Sequence, residues 1–147
     1  MPRQPIYLDQ LSYEYAIANG RLDIVKFLHK SGTRSNNMHF QNAVMNRRHE
    51  IVRYMLASNM PYFDFHNGED IASIGGVKPV DVAIDNGDYK MMRILLYHGL
   101  FRDRVSWNHA LDHGGRRVLK ILYDFNCPHD YDEDIIDEVA QFGINLY

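Results

Sequence analysis

Apolar and polar positions along the chain fall into columns that recur four times. Ala16, Ala43, Ala83 and Ala110 each stand eight residues before an aliphatic, Ile24, Ile51, Met91 and Val118. Four residues further come Leu28, Met55, Leu95 and Leu122, and four beyond those come Gly32, Asn59, Gly99 and Asn126. A large apolar group, Tyr13, Phe40, Val80 or Trp107, precedes each alanine by three. Between alanine and aliphatic lies a turn signal: Asn19-Gly20, Asn86-Gly87, Gly114-Gly115, and Asn46-Arg47 as the weaker version.

The spacing translates directly into elements. An aromatic and an alanine three apart share one face of a short helix, roughly residues 12–19 in the first copy. Gly and Asn tolerate the left-handed backbone of the tight turn that follows. Leu22, Val25 and Leu28, with their equivalents, mark a second, antiparallel helix, capped by Gly32 or Gly99. Alanine at the crossing lets the paired helices approach, while the aromatics fill the space between successive pairs. One pair cannot bury its apolar face alone, so neighbours must stack. The expected fold is all-α: a solenoid of about four helix-turn-helix repeats, near 11–37, 38–77, 78–104 and 105–131, closed by a capping helix in 132–147.

These columns resemble the ankyrin repeat, which has a Thr-Pro-Leu-His-x-Ala opening, a Gly turn and an Ile-Val-x-x-Leu-Leu second helix. Lys78-Pro79-Val80-Asp81-Val82-Ala83 matches the opening, and the stretch from Ala16 to Leu28 matches the remainder. The resemblance covers residues 11–126. Spacing departs from it: the alanines lie 27, 40 and 27 residues apart, against a family period of about 33. The two short intervals predict joints that have nearly lost the projecting finger, and the long interval predicts an oversized one. Shortened repeats of this kind, with Asn126-Cys127-Pro128 in place of Gly-Ala-Asp, resemble ankyrin proteins of large DNA viruses and protists.

Charge adds little to this picture. The net value is −3, with +3 over residues 1–129 and −6 over the acidic end that begins at Asp130. An acidic capping helix explains that end, because Asp132 or Asp134 would sit at its N-terminal dipole. A calcium loop at Asp130–Asp134 fails, because the sixth position holds Ile135 where Gly is needed and the twelfth holds Gln141 where Glu is needed. A single cysteine, Cys127, excludes an internal disulfide framework and fits a reducing compartment. The first ten residues contain no apolar secretory core, and Ile94–Tyr97 is too short to span a bilayer. The expected location is intracellular and cytoplasmic, the host cytoplasm if the source is viral.

Candidate chemistry is sparse. His109 and His113 have the i, i+4 spacing of a helical metal pair, but sequence supplies no compelling third ligand, and surface histidines are the reading adopted, with no metal and no cofactor. Gly75-Gly76 lacks phosphate-loop spacing, and no Gly-x-Ser-x-Gly elbow is present. The chain reads as noncatalytic: a protein-protein interaction module, either adaptor or decoy, expected to be a monomer that binds a protein partner. The alternative is a nucleic-acid-binding solenoid that uses Arg47, Arg48, His49, Arg53, Arg93, Arg116, Arg117 and Lys120 on its second helices.

The resemblance implies where a partner would sit, namely on the two positions before each turn and on the residue before each column alanine. Here those include Tyr15, Asn19, Asn46, Asp85, Asn86, His109, Asp112 and His113. In the long joint, Asn67-Gly68 is a hairpin signal. Tyr62, Phe63, Phe65 and His66 would then lie on a projecting finger or fold back over an apolar edge. Trp107 belongs to a core column and is not counted as a binding residue.

Overall fold

The structure is a computed structural model that describes residues 12–58, 60, 79–98, 107–127, 137, 140, 141 and 143. It holds two compact units, Met1–Ile74 and Gly75–Tyr147. Among the described residues all regular structure is helical, as the columns predict. The first unit contains α1 (Tyr13–Asn19), α2 (Leu22–Lys30), α3 (Asn37–Met45) and α4 (His49–Ala57). The second contains α5 (Pro79–Asp85), α6 (Tyr89–Tyr97), α7 (Trp107–His113) and α8 (Gly115–Asp124). The long joint, including Tyr62, Phe63, Phe65 and His66, lies outside the described residues, as do Asn59, Gly99 and most of the expected cap.

Packing follows the repeat logic inside each unit. α1 pairs with α2 and α3 with α4, α1 lies against α3, and α2 lies against α4. In the second unit α5 pairs with α6, α7 pairs with α8, and α5 lies against α7. All four column alanines are completely buried, and their aromatic or aliphatic companions Tyr13, Phe40, Val80 and Trp107 are buried with them. The second-helix columns, from Ile24, Ile51, Met91 and Val118 to Leu28, Met55, Leu95 and Leu122, are buried as well. Alanine is required where two helix backbones cross closely, because a longer side chain would hold them apart.

The turns show how the chain reverses within each pair. In three repeats the residue four after the alanine adopts the left-handed conformation: Gly20 (φ 68°), Arg47 (φ 59°) and Gly87 (φ 63°). The next residue then donates its N–H to the alanine carbonyl: Arg21 to Ala16 at 2.7 Å, Arg48 to Ala43 at 2.9 Å and Asp88 to Ala83 at 2.8 Å. This closure satisfies carbonyls that the helix end leaves open. Arg47 adopts the same turn without glycine, at a cost of roughly 1 kcal/mol. The fourth turn differs. Its left-handed residue is Gly115 (φ 70°), one position later, and Gly114 donates to Ala110 as in a continuing helix. Gly114 has its own reason to lack a side chain, since a Cβ there would lie 2.6 Å from that of Val118.

The joint between the first two repeats is short and contains no strand, in line with a 27-residue interval. Tyr13 holds it by donating its hydroxyl to the Thr33 carbonyl at 2.7 Å. Asn36 then caps α3: its side chain accepts from the His39 N–H at 2.9 Å, and its own N–H donates to His39 Nδ1 at 3.2 Å. The His39 ring lies over Tyr13, with centroids 5.2 Å apart, and its Nε2 is 3.9 Å from Glu14.

Burial of the His39 ring pushes its pKa below the ordinary 6.5, with the Glu14 carboxylate opposing the shift. A depressed histidine pKa means that the unfolded chain binds more protons in the window between the folded value and 6.5. The stabilising contribution is therefore complete above that window and lost as pH falls through it. Protonation would also place a hydrogen on the nitrogen that accepts from Asn36. Urea midpoints taken at about pH 7.5 and about pH 5.5 should fall on acidification, and by less in His39→Gln. Equal pH slopes for the two proteins would show that His39 does not contribute.

Candidate functional site

The ends of the first helices present the residues expected to meet a partner, and most of them face solvent. In the first unit Tyr15 is 45% exposed and Met45 53%, and Asn19, one turn after Tyr15, and Asn46, next to Met45, are exposed as well. Each of these asparagines donates its side-chain amide to the carbonyl four residues back, Asn19 to Tyr15 at 2.9 Å and Asn46 to Asn42 at 2.7 Å. The bond uses the amide nitrogen and leaves the amide oxygen at the surface. Met38, also on α3 and 52% exposed, was not singled out by the sequence. Its position five residues before Ala43, off the Phe40–Ala43 face, was the available signal.

In the second unit Asp85 and Asp112 are exposed, and Asn86 and His109 are half-buried. Here the structure joins residues that sequence spacing left apart. His109 Nε2 is 2.8 Å from Asp85 Oδ1, linking α7 to the end of α5. His113, one turn further along α7, stacks its ring on that of His109 with centroids 4.3 Å apart. Its Nδ1 lies 3.2 Å from the His109 carbonyl oxygen. A carbonyl only accepts, so His113 Nδ1 is the donor of this bond, and Nε2 is the ring nitrogen it leaves for another partner. One ligand atom from each of Asp85, His109 and His113 lies within 4.8 Å of the others. The third partner missing from the local His109/His113 spacing is thus Asp85, 24 residues before His109.

The basic second-helix residues divide into two groups. Arg48 turns inward and closes the end of α1, with Nε donating to the Ile17 carbonyl at 2.8 Å and Nη2 to that of Ala18 at 2.6 Å. Its guanidinium would sit 3.1 Å from a Cβ placed on Gly20, which gives that glycine a second reason to be bare. Arg53 pairs with Glu50 at 3.5 Å. In the second unit Arg93, Arg116, Arg117 and Lys120 line an open depression of ≈ 500 Å³ with Ile121 and Asp124. There Lys120 lies 3.6 Å from Asp124, and the Arg117 guanidinium lies over the Tyr89 ring at 4.4 Å. The basic set named from sequence therefore commits Arg48 to the end of α1 and keeps a basic depression lined by α6 and α8.

No helix among the described residues is long and apolar enough to cross a membrane. No curated protein and no solved structure matches the chain significantly. A family model of ankyrin repeats, three copies long, matches residues 13–104. That span is more than half of the chain and includes the first three alanine columns, whose helix pairs, turns and buried positions have been described. The chain belongs to the ankyrin-repeat family.

Proposed function

We propose that the chain is a noncatalytic adaptor or decoy that captures a protein partner on its first-helix ends and on the 60–77 joint. Ankyrin repeats generally serve as protein-protein interaction modules, and the exposure of Tyr15, Asn19, Asn46, Asp85, Asp112 and His113 beside fully buried columns carries the reading to this chain. The buried columns fix the helices, and the exposed positions are left to vary with the partner. Tyr15 and Met45 supply apolar contact area, and the asparagine amide oxygens and Asp112 supply polar direction, the mixture that protein interfaces use. Tyr62, Phe63, Phe65, His66, Asn86 and His109 belong to the same proposal on sequence grounds. So do the four repeat boundaries, the C-terminal cap, a monomeric state and an intracellular site of action.

Affinity purification with mass spectrometry tests this directly. Wild type is compared with Tyr15→Ala/Asn46→Ala and Tyr62→Ala/Phe65→Ala, and with Asp112→Arg, each matched for folding by circular dichroism. A partner recovered by wild type should fall at least about tenfold with one or more variants, the effect of losing an interface hot spot. Equal recovery across the set would remove the proposed surface. The basic depression lined by Arg93, Arg116, Arg117 and Lys120 favours a second reading, nucleic-acid binding. That reading requires a salt-sensitive shift of labelled DNA or RNA that disappears in Arg116→Glu/Arg117→Glu.

A further inference from the structure

We propose that Asp85, His109 and His113 form a binding site for one zinc-class divalent cation. Three independent features converge on the site. The donor set comprises two imidazoles and one carboxylate, which suits zinc and its borderline neighbours and is wrong for calcium or magnesium, which take oxygen ligands. His109 and His113 project from one face of α7, and the packing of α5 against α7 brings Asp85 to them. The His109 carbonyl accepts from His113 Nδ1 at 3.2 Å, an orientation that would leave Nε2 as the ligand atom. Histidine ligands in metal sites are commonly oriented by such a bond from the other ring nitrogen.

The arrangement requires only side-chain adjustment to close on an ion. Bonds of roughly 2.0–2.1 Å in a tetrahedral shell place ligand atoms about 3.3 Å apart. Asp85 and His109 at 2.8 Å must open slightly, and the widest separation, within 4.8 Å, must shorten. The ion would take the place of the hydrogen shared by His109 Nε2 and Asp85 Oδ1. The Asp85 side chain is 51% exposed and that of His109 24%, so the ion can enter from solvent on the Asp85 side. Three protein ligands leave a fourth position for water.

The repeat supplies an internal comparison. Asp85 stands two residues after its column alanine, and His109 and His113 stand one before and three after theirs. The same three columns in the first unit hold Ala18, Asn42 and Asn46. His113 thus occupies the column where Asn19 and Asn46 make the same bond to the carbonyl four residues back. Replacing asparagine by histidine keeps that bond and adds a metal-ligating nitrogen. Three side-chain differences thus distinguish this site from the same columns of the first unit.

Calorimetric titration of the purified, EDTA-stripped full chain with zinc chloride is the test. It is paired with the visible absorption of added cobalt(II) and with imidazole NMR. Wild type should take up one zinc ion, give the intense cobalt bands of a four-coordinate site, and show shifts at His109 and His113. Asp85→Asn, His109→Gln and His113→Gln should each weaken uptake at least about tenfold, while His49→Gln/His98→Gln leaves it unchanged. Comparable circular dichroism spectra before metal is added separate loss of ligand from loss of fold. Absence of uptake by wild type overturns the proposal, and so does uptake that survives all three ligand substitutions or NMR shifts confined to other histidines. None of these outcomes depends on a protein partner.

Discussion

Phe40→Ala is expected to destabilise the protein by about 3–5 kcal/mol, the cost of emptying a large aromatic site in a packed core. Phe40 has no exposed surface. It sits on α3, which packs against both α1 and α4, so the vacated space lies where two helix pairs meet. Small domains commonly retain only about 5–15 kcal/mol in total, so the loss is a large fraction of the whole. Phe40→Leu preserves most of the volume and should cost far less, on the order of 1.5 kcal/mol. Urea unfolding followed by circular dichroism measures both. A change below about 1 kcal/mol for Phe40→Ala would mean that the site collapses freely, and that the aromatic column does not hold successive repeats together.

The same column shows why the core could be read from sequence. Tyr13, Phe40, Val80 and Trp107 differ in size and chemistry, yet their spacing to an alanine is constant, and helical periodicity turns constant spacing into a shared buried face. Turn chemistry was nearly as legible: Gly20 and Gly87 adopt the left-handed backbone that their position demands. Arg47 adopts it too, because neighbouring helices fix the turn whatever residue occupies it. The fourth turn was legible only as a glycine pair. The structure puts the positive φ on Gly115, while Gly114 is where a Cβ would meet Val118, a difference in role that the pair alone does not reveal.

The candidate site was less legible for the same physical reason. Exposure of Tyr15, Asn19 and Asp112 follows from their place around a helix whose buried face is known. The meeting of Asp85 with His109 depends instead on how α7 sits against α5, a stacking register set by the core. Arg48 is the converse case. Its sequence position marks a solvent-facing cation, but it lies within reach of the open carbonyls of α1, and a guanidinium with several donors is drawn to them. A charge that the nucleic-acid reading placed among free cations instead closes the end of a neighbouring helix.

Trp107→Ala is the second change expected to cost about 3–5 kcal/mol, and it separates core from interface. Tryptophan is the residue most readily assigned to a binding hot spot, and this chain has one. Trp107 nevertheless opens α7 at the buried column position, 3% exposed, while Asp112 and His113 at the other end of the helix face solvent. Its loss should therefore lower the unfolding midpoint and leave partner recovery unchanged once samples are matched for folded fraction. Wild-type fluorescence supplies a direct check, because a buried lone indole should emit at short wavelength and shift to the red as urea exposes it. A Trp107→Ala protein with an unaltered midpoint and abolished partner capture would place the indole on the interface. The assignment of the aromatic column to the core would then fail in the second unit, whatever holds in the first.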